Sequence, residues 1–560
     1  MDRCHRLTSR IRPWLLLGLP LFVLCAPSLA RQPATLSYHS VQLELPGPPA
    51  QLLPCDLDGD GSGDLLVVVA YTTWDRVTFD RVEEAMMITD VVPALFDRRE
   101  VRAFLTTPQG PFDLALEPLD VSGRLRALAP GPEGTGPLAL TPEGVASFAV
   151  VRDESGTPRL VIRPLFDAPT ALAAAEVFLP NLPLTADLDG DDHLDLLFPG
   201  AGGVEIYLSR DGSLETSPTS HLEVPADRVE NAGVKLRRLP LPSVSDLDGD
   251  GTVDLLHPTP ETVGGEMDEA RELLVSRGLG GGRFAPPRRI DLGPVLPVSG
   301  KTEDGRFRVV SLLYLGDIDG QGAAEVATLT YHFDGDAGPL RSLRQAKQPR
   351  GRLALYHFSR DLVIDTTAYT SVEIEGHAFS SDLLDLEHGA FRDLDGDGRR
   401  DLVTVNLGFS LLQIVTIVAA RSLNIGLDFN IYRQLPGGEF RKVGGLDLEE
   451  RLKVSLRHLH LLGVAHFAGD FDGDGRRDFV HLGRGSTLTV HRGQPECRYS
   501  RRPDLAIDLP RRIEAVEMVR VLDLDGDDRD DLAIMRPQPA DEELKTPPVT
   551  LDLLLSGATR

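Results

Sequence analysis

Short apolar runs, each broken by a turn rich in glycine, proline or aspartate, recur from about residue 34 to the end of the chain. Runs such as "DLLVVVAYT" (64–72), "DLLFPG" (195–200) and "DLVTVNLG" (401–408) are too short for helices and favour β-branched residues, which predicts buried strands. Each is preceded by another apolar stretch, as in "LPLPSVS" (239–245). Each is followed by two strand-like segments about a glycine turn, as in "VEIYLSRDGSLE" (204–215), "LLVSRGLGGGRF" (273–284) and "FNIYRQLPGGEF" (429–440). About four strands therefore fill each period. One stretch departs from this pattern: 80–105 has helical spacing and is expected to project as a helical insertion.

Between the first two strands of each period lies an acidic loop. "DLDGDGSGDLL" begins at Asp56, and close copies begin at Asp187, Asp246, Asp393, Asp470 and Asp523. A decayed copy, "DIDGQGAAEVA", begins at Asp317. From Asp187 onward the starts lie 59, 71, 76, 77 and 53 residues apart, while Asp56 to Asp187 spans 131. Halfway along that gap "LDVSGRLRALAPG" (119–131) keeps the outline without the acids and is read as an eighth, metal-free copy. A period of this size along the whole chain indicates one repeat architecture. A single twisted four-stranded sheet cannot bury both faces, so the sheets must stack about an axis. The expectation is an all-β propeller of eight four-stranded blades, or seven if 119–131 is only a decorated loop. After Asp523 only "DLAIMRP" (531–537) and "VTLDLLLSG" (549–557) remain, so the spare N-terminal strand "ATLSYHSVQLEL" (34–45) is expected to complete the last blade and close the ring.

The loop chemistry points to a hard cation. Calcium takes six to eight oxygen ligands, which acids at alternate positions of a tight turn can supply. In the copy at Asp246, the side chains of Asp246, Asp248 and Asp250, the Thr252 carbonyl and Asp254 can converge. Glycine stands fourth in all seven acidic copies, where the chain must bend with positive φ. An EF-hand needs glutamate at position twelve, but Val67, Phe198, His257, Thr404, His481 and Ile534 stand there, and strand formers follow. Dockerin modules fail on the same missing helix. Thrombospondin-type repeats fail on spacing, because these loops lie more than fifty residues apart.

The motif Asp-x-Asp-Gly-Asp-Gly-x-x-Asp-Leu with β flanks, in many copies across 34–560, resembles the FG-GAP/VCBS-repeat β-propellers, which include the integrin α-subunit head. That resemblance implies several calcium sites. It makes metal ligands of Asp56, Asp58, Asp60 and Asp64; of Asp187, Asp189, Asp191 and Asp195; and of Asp246, Asp248, Asp250 and Asp254. It does the same for Asp393, Asp395, Asp397 and Asp401, for Asp470, Asp472, Asp474 and Asp478, and for Asp523, Asp525, Asp527 and Asp531. The Asp317 copy departs at Gln321 and Glu325, and a literal Phe-Gly…Gly-Ala-Pro signature is absent, with only "RFAPP" and "LLHPTP" as echoes.

Composition and charge narrow the role. Residues 1–30 read as a secretory signal: Arg3, Arg6, Arg10 and Arg12 precede an apolar run from Trp14 to Cys25, with a small-residue cleavage site at 28–30. Residues 31–560 are then a single propeller, secreted to an extracellular, periplasmic or cell-surface location. Losing four basic and one acidic side chains takes the formal charge from −27 to −30, which excludes nucleic acid as a partner. No stretch beyond the leader is long enough to span a membrane; "LLQIVTIVAA" (411–420) is only ten residues. Cys55 and Cys497 remain, and an oxidising compartment permits a bridge, although the repeats place them in non-adjacent blades.

No nucleophile elbow, zinc-protease helix, phosphate-binding glycine loop or Cys-x-x-Cys pair is present. His458, His460 and His466 form the one histidine cluster, better explained by a strand with outward polar positions than by zinc. The reading is a binding or adhesion module for a protein or carbohydrate partner, with calcium mainly structural. The alternative is a secreted hydrolase or polysaccharide lyase on the same ring.

Overall fold

The computed structural model describes residues 36–71, 98–171, 182–200, 202–210, 212–224, 228–231, 234–237, 241–257, 271–334, 339–378, 389–408, 422–444, 450–455, 460–462, 464–482, 486–510, 518–538 and 548–558. Strands dominate, and among these residues a single helix, Pro339–Lys347, is present. The apolar runs pair with their sequence neighbours as antiparallel meanders, because the connecting turns are short and the burial is two-sided. Eight such sheets form the blades of a ring: 49–120, 127–167, 185–222, 243–291, 300–375, 391–462, 464–508, and 519–558 with 36–45. Blades 1, 5 and 6 carry extra strands on the four-stranded plan.

The core lies between blades. Apolar clusters join blades 1 and 2, 2 through 4, 4 and 5, 5 and 6, and 6 and 7, and a last cluster joins 7, 8 and 1. The middle strands are therefore buried on both faces; Leu65 through Val69 have no exposed surface. Closure follows the expected route. Strand Leu36–Leu45 pairs antiparallel with Val549–Ala558 over ten residues, from Leu36↔Ala558 to Leu45↔Val549.

Two expectations are corrected. Residues 98–105 are not helical. Strand Arg98–Thr107 is the third strand of blade 1, in register with Asp64–Tyr71 from Leu65↔Phe104 to Tyr71↔Arg98. Its alternate positions Arg99, Val101, Ala103 and Leu105 are buried, so the demand for a third strand overrides local helical spacing. Residues 80–97 of that expected insertion lie outside the described residues, as does the leader. The eighth copy is present as blade 2, but its loop is 130–137, not 119–131. Leu119–Asp120 pairs back onto blade 1, and "PGPEGTGP" connects Ala127–Ala129 to Leu138–Leu140. That loop has the same length as 56–63, and Pro130, Pro132, Gly134 and, just after it, Leu138 stand where the others carry acids.

Blade 4 contains a buried histidine. His257 donates to or accepts from the Ser276 hydroxyl at 2.8 Å through Nε2, and burial pushes its pKa down to about 4. Folding thus disfavours the imidazolium, so this stability is full above the ordinary value near 6.5 and is lost as pH falls towards 4. The loss amounts to roughly 3 kcal/mol. His257→Leu is expected to shrink the stability difference between pH 7 and pH 4.5 in urea titrations. An unchanged difference would remove His257 from the acid response.

Candidate metal centres

Each acidic loop joins two antiparallel strands, and the residue before its first aspartate pairs with its ninth: Cys55↔Asp64, Ala186↔Asp195, Ser245↔Asp254, Arg392↔Asp401, Gly469↔Asp478 and Leu522↔Asp531. The fourth-position glycines have φ between 68° and 82°, the left-handed region expected of the turn. The sixth position is left-handed as well, and there Asp192 (65°) and Asp528 (64°) replace glycine, a conformation aspartate tolerates.

The four aspartates of a loop have different tasks. The first folds over its own turn: Asp246 Oδ1 accepts from Gly249 N–H and Oδ2 from Gly251 N–H, both at 2.8 Å. Asp56, Asp187, Asp393 and Asp523 repeat this pair of bonds, and Asp470 accepts from Asp474 and Gly475. The fifth accepts from the seventh residue's N–H, as Asp60 does from Ser62 and Asp250 from Thr252; Asp191, Asp397, Asp474 and Asp527 do likewise. The ninth is buried in every copy and binds two segments at once. Asp478 Oδ2 accepts from Phe471 N–H at 3.0 Å, and Oδ1 from Gly493 N–H at 2.7 Å in the next strand. Asp64, Asp195, Asp254, Asp401 and Asp531 make the equivalent two bonds.

The third aspartate keeps one oxygen without a donor in five of the six intact loops. Buried oxygens of Asp189, Asp248, Asp395, Asp472 and Asp525, Oδ1 in each case, have no hydrogen-bond partner. A buried carboxylate oxygen without a donor is costly, and a hard cation is the partner that suits it. Oxygens of Asp56, Asp58 and Asp64 lie within 4.8 Å of one another, as do those of Asp187, Asp189 and Asp195 and those of Asp246, Asp248 and Asp250. In these three loops the donor set is all oxygen and fits calcium, while Cys497 joins Asp395 and Asp401 at the Asp393 loop. Burial pushes the ninth carboxyls up, to about 6 at Asp64 and Asp195, about 7 at Asp401 and Asp531, and about 8 at Asp478. A divalent cation beside them would reverse that direction.

The decayed copy keeps the turn. Asp317 accepts from Gly320 and Gly322, and Glu325 accepts from Ile318 N–H at 2.7 Å. Gln321, however, donates its amide to Asp319, and His357 Nδ1 stands 3.4 Å from the buried Glu325, whose pKa burial raises to about 8. Shape survives there with fewer acids.

Arginines at the loops escaped the sequence reading. Arg210 lies 2.7 Å from Asp189 and 3.3 Å from Asp191, and Arg277 lies 2.6 Å from Asp248 and 3.0 Å from Asp250. Arg433 lies 2.6 Å from Asp395 and 3.1 Å from Asp397, while Arg492 lies 3.2 Å from Asp472. Each sits at a strand end reading Ser-Arg, Tyr-Arg or His-Arg, but hairpins of different length hide the repeat. Neither Asp58 nor Asp60 pairs with an arginine among the described residues.

Neighbouring loops also touch. Ala324 N–H donates to Asp246 O (2.8 Å), Arg400 N–H to Ile318 O (2.7 Å), Arg477 N–H to Leu394 O (3.1 Å) and Asp530 N–H to Asp470 O (2.9 Å). A Cβ on Gly63 would meet the Asp525 carbonyl oxygen at 2.4 Å, so blade 1 abuts blade 8 at the same level. The loops form a belt from blade 4 round to blade 1.

Two further candidates from the sequence are the histidine trio and the cysteine pair. His458 lies outside the described residues, and only the backbone is described at His460 and His466. Cys55 in blade 1 and Cys497 in blade 7 are both free; the Cys497 thiol donates to Asp401 Oδ2 at 3.1 Å.

The ninth position yields a direct test. Asp478→Ala leaves two N–H groups unpaired inside the sheet, so a loss of about 2–6 kcal/mol is expected from urea unfolding in chelator. Asp474→Ala, at an exposed position with local partners, is expected to lose roughly 1 kcal/mol or less. Equal losses would refute the division of labour within the loop.

Residues 187–257 match the family described as FG-GAP-like repeat. No curated protein matches the sequence. Among solved structures, the chain is similar to the Tc holotoxin pore of Photorhabdus luminescens at 13% identity, covering 83% of this chain and only 18% of the toxin's length, with a TM-score of 0.28. It is similar to the biofilm matrix protein of V. cholerae at 12% identity, covering 95% of this chain and 90% of that one, with a TM-score of 0.26. A rhamnogalacturonan lyase of Bacillus licheniformis shows 14% identity over 73% of each chain, with a TM-score of 0.25. Residues 187–257 thus carry an FG-GAP-like repeat, and the loop of that repeat recurs around an eight-bladed β-propeller.

Proposed function

We infer that this protein is a secreted, calcium-stabilised propeller that acts as a binding or adhesion module for a protein or carbohydrate partner, its calcium mainly structural. The observation that carries this reading is the use of the loop acids. First, fifth and ninth carboxylates are spent on backbone N–H groups, and the loops join blade to blade, so the clustered acids belong to the frame. Acids held in this way are poorly placed for general acid–base work on a substrate. No helix among the described residues is long and apolar enough to cross a membrane.

The test is a binding screen against glycans and cell surfaces with the calcium-loaded full chain. Selective binding that survives Asp246→Ala is expected, because that loop supports the ring and is not the contact. Absence of binding to any surface, or turnover of a glycan in the same screen, would overturn the reading.

A further inference from the structure

A cleft of about 870 Å³ opens between blades 5 and 6, where helix Pro339–Lys347 packs beside strand Asp401–Gly408. None of its walls is an acidic loop. On a chain of formal charge −27, this cleft gathers Arg306, Arg341, Arg344, Arg350 and Lys442 against the acids Glu373, Glu375 and Asp428. Glu375 alone holds two of the cations, Lys442 at 2.9 Å and Arg350 at 3.3 Å, and they keep its carboxyl below the usual range. Arg341 is held 2.6 Å from Asp334. The Arg344 guanidinium is exposed and pairs with no acid among the described residues.

The cleft wall also carries a buried acceptor. Asn406 is 8% exposed; its Nδ2 donates to Asp428 at 3.4 Å, and its Oδ1 is buried without a donor. Arg306 lies 3.6 Å from Asp304 and 3.8 Å from Asp334, so the orphan amide oxygen asks for a hydroxyl or N–H and the unpaired Arg344 guanidinium asks for an anion. A ligand carrying both on one ring satisfies the two demands together. The volume lies toward the upper end for small-ligand sites, which suits an oligomer over one small ion.

The geometry points to an acidic-glycan site here: the cleft takes uronic-acid oligosaccharides, with Arg344 on the sugar carboxylate and Asn406 Oδ1 accepting from a ring hydroxyl. This inference rests on the binding-module reading and names the ligand class for it.

The test is titration calorimetry of the calcium-loaded full chain with glucuronate-, galacturonate- and mannuronate-containing hexamers. The same hexamers with their carboxyls reduced to alcohols serve as neutral counterparts. At least one acidic hexamer is expected to bind, tenfold or more tightly than its reduced form, and Arg344→Glu is expected to weaken it at least tenfold. Since Arg344 is exposed, its variant should keep the parent's melt. Asn406→Leu should weaken binding even at high salt, where the charge contribution is screened. Equal binding by parent and Arg344→Glu, equal binding of reduced hexamers, or displacement by inorganic phosphate at matched concentration would each overturn the assignment. If no hexamer binds while other surfaces in the screen do, the cleft assignment fails and the binding role stands. If nothing binds in either experiment, the role itself fails.

Discussion

Chelation is expected to lower the melting temperature of this protein by roughly 5–10 °C, and added calcium to restore it. Weak extracellular sites, with dissociation constants near ~10⁻⁴ M, contribute about 1.4 kcal/mol each at about 1 mM calcium. Six intact loops that open together amount to about 8 kcal/mol. With an unfolding entropy of about 2 cal/mol/K per residue, a chain of this length converts that into the stated shift. Scanning calorimetry in calcium and in chelator measures it, and an unchanged melt would remove calcium from the frame. A paired comparison locates the effect. In calcium, replacing Asp246 and Asp248 by Ala should be more destabilising than replacing Asp317 and Asp319. In chelator the two variants should converge, because each loses the same first-position bonds: Asp246 to Gly249 and Gly251, Asp317 to Gly320 and Gly322. A gap that persists in chelator would assign the difference to packing.

Removing residues 36–45 is expected to abolish the cooperative fold. Leu36, Leu43 and Leu45 are at most 7% exposed in the cluster that joins blades 7, 8 and 1. Their loss alone withdraws about 5–8 kcal/mol of apolar burial, comparable with the whole stability of many domains. It also uncovers the ten-residue edge of Val549–Ala558, a template for pairing with another chain. Size-exclusion chromatography should report aggregates, and circular dichroism a broad melt; a monomeric, sharply melting truncation would show that the ring does not depend on this strand. The milder disturbance has a preferred starting point. Among the described residues, the Asp56 and Asp523 loops, on blades 1 and 8, lack an arginine shared by the third and fifth acids like Arg277 and Arg433, although Arg529 pairs with Asp527. Hydrogen exchange in chelator should therefore rise first at this closure.

Charge balance also explains why one sequence carries both intact and decayed loops. Glu325 can still accept from Ile318 across the turn, so a blade tolerates losing an acid provided the ninth-position bond is kept. The 130–137 loop goes further, with Leu138 at the ninth position packed into the apolar cluster of blades 2 and 3. In both, what is retained is the length of the turn.

What the sequence by itself determined was whatever is local and repeated. Short apolar runs, turn glycines and a loop of constant length made the strands and blades legible, since each depends on neighbours in the chain, and the strand left over at the N-terminus made the closing pair Leu36–Leu45 with Val549–Ala558 legible. The candidate ligands were legible for the same reason, as a motif only nine residues long. Only the tertiary structure decided the rest. Arg98–Thr107 became a strand because blade 1 lacked a third. Arg277 met Asp248 across a hairpin of variable length, and Ala324 met Asp246 across an entire blade. The cleft drew Arg344 and Asn406 from different blades. These contacts join residues tens of positions apart with no fixed spacing, and no period in a sequence encodes a distance that only the closing of the ring creates.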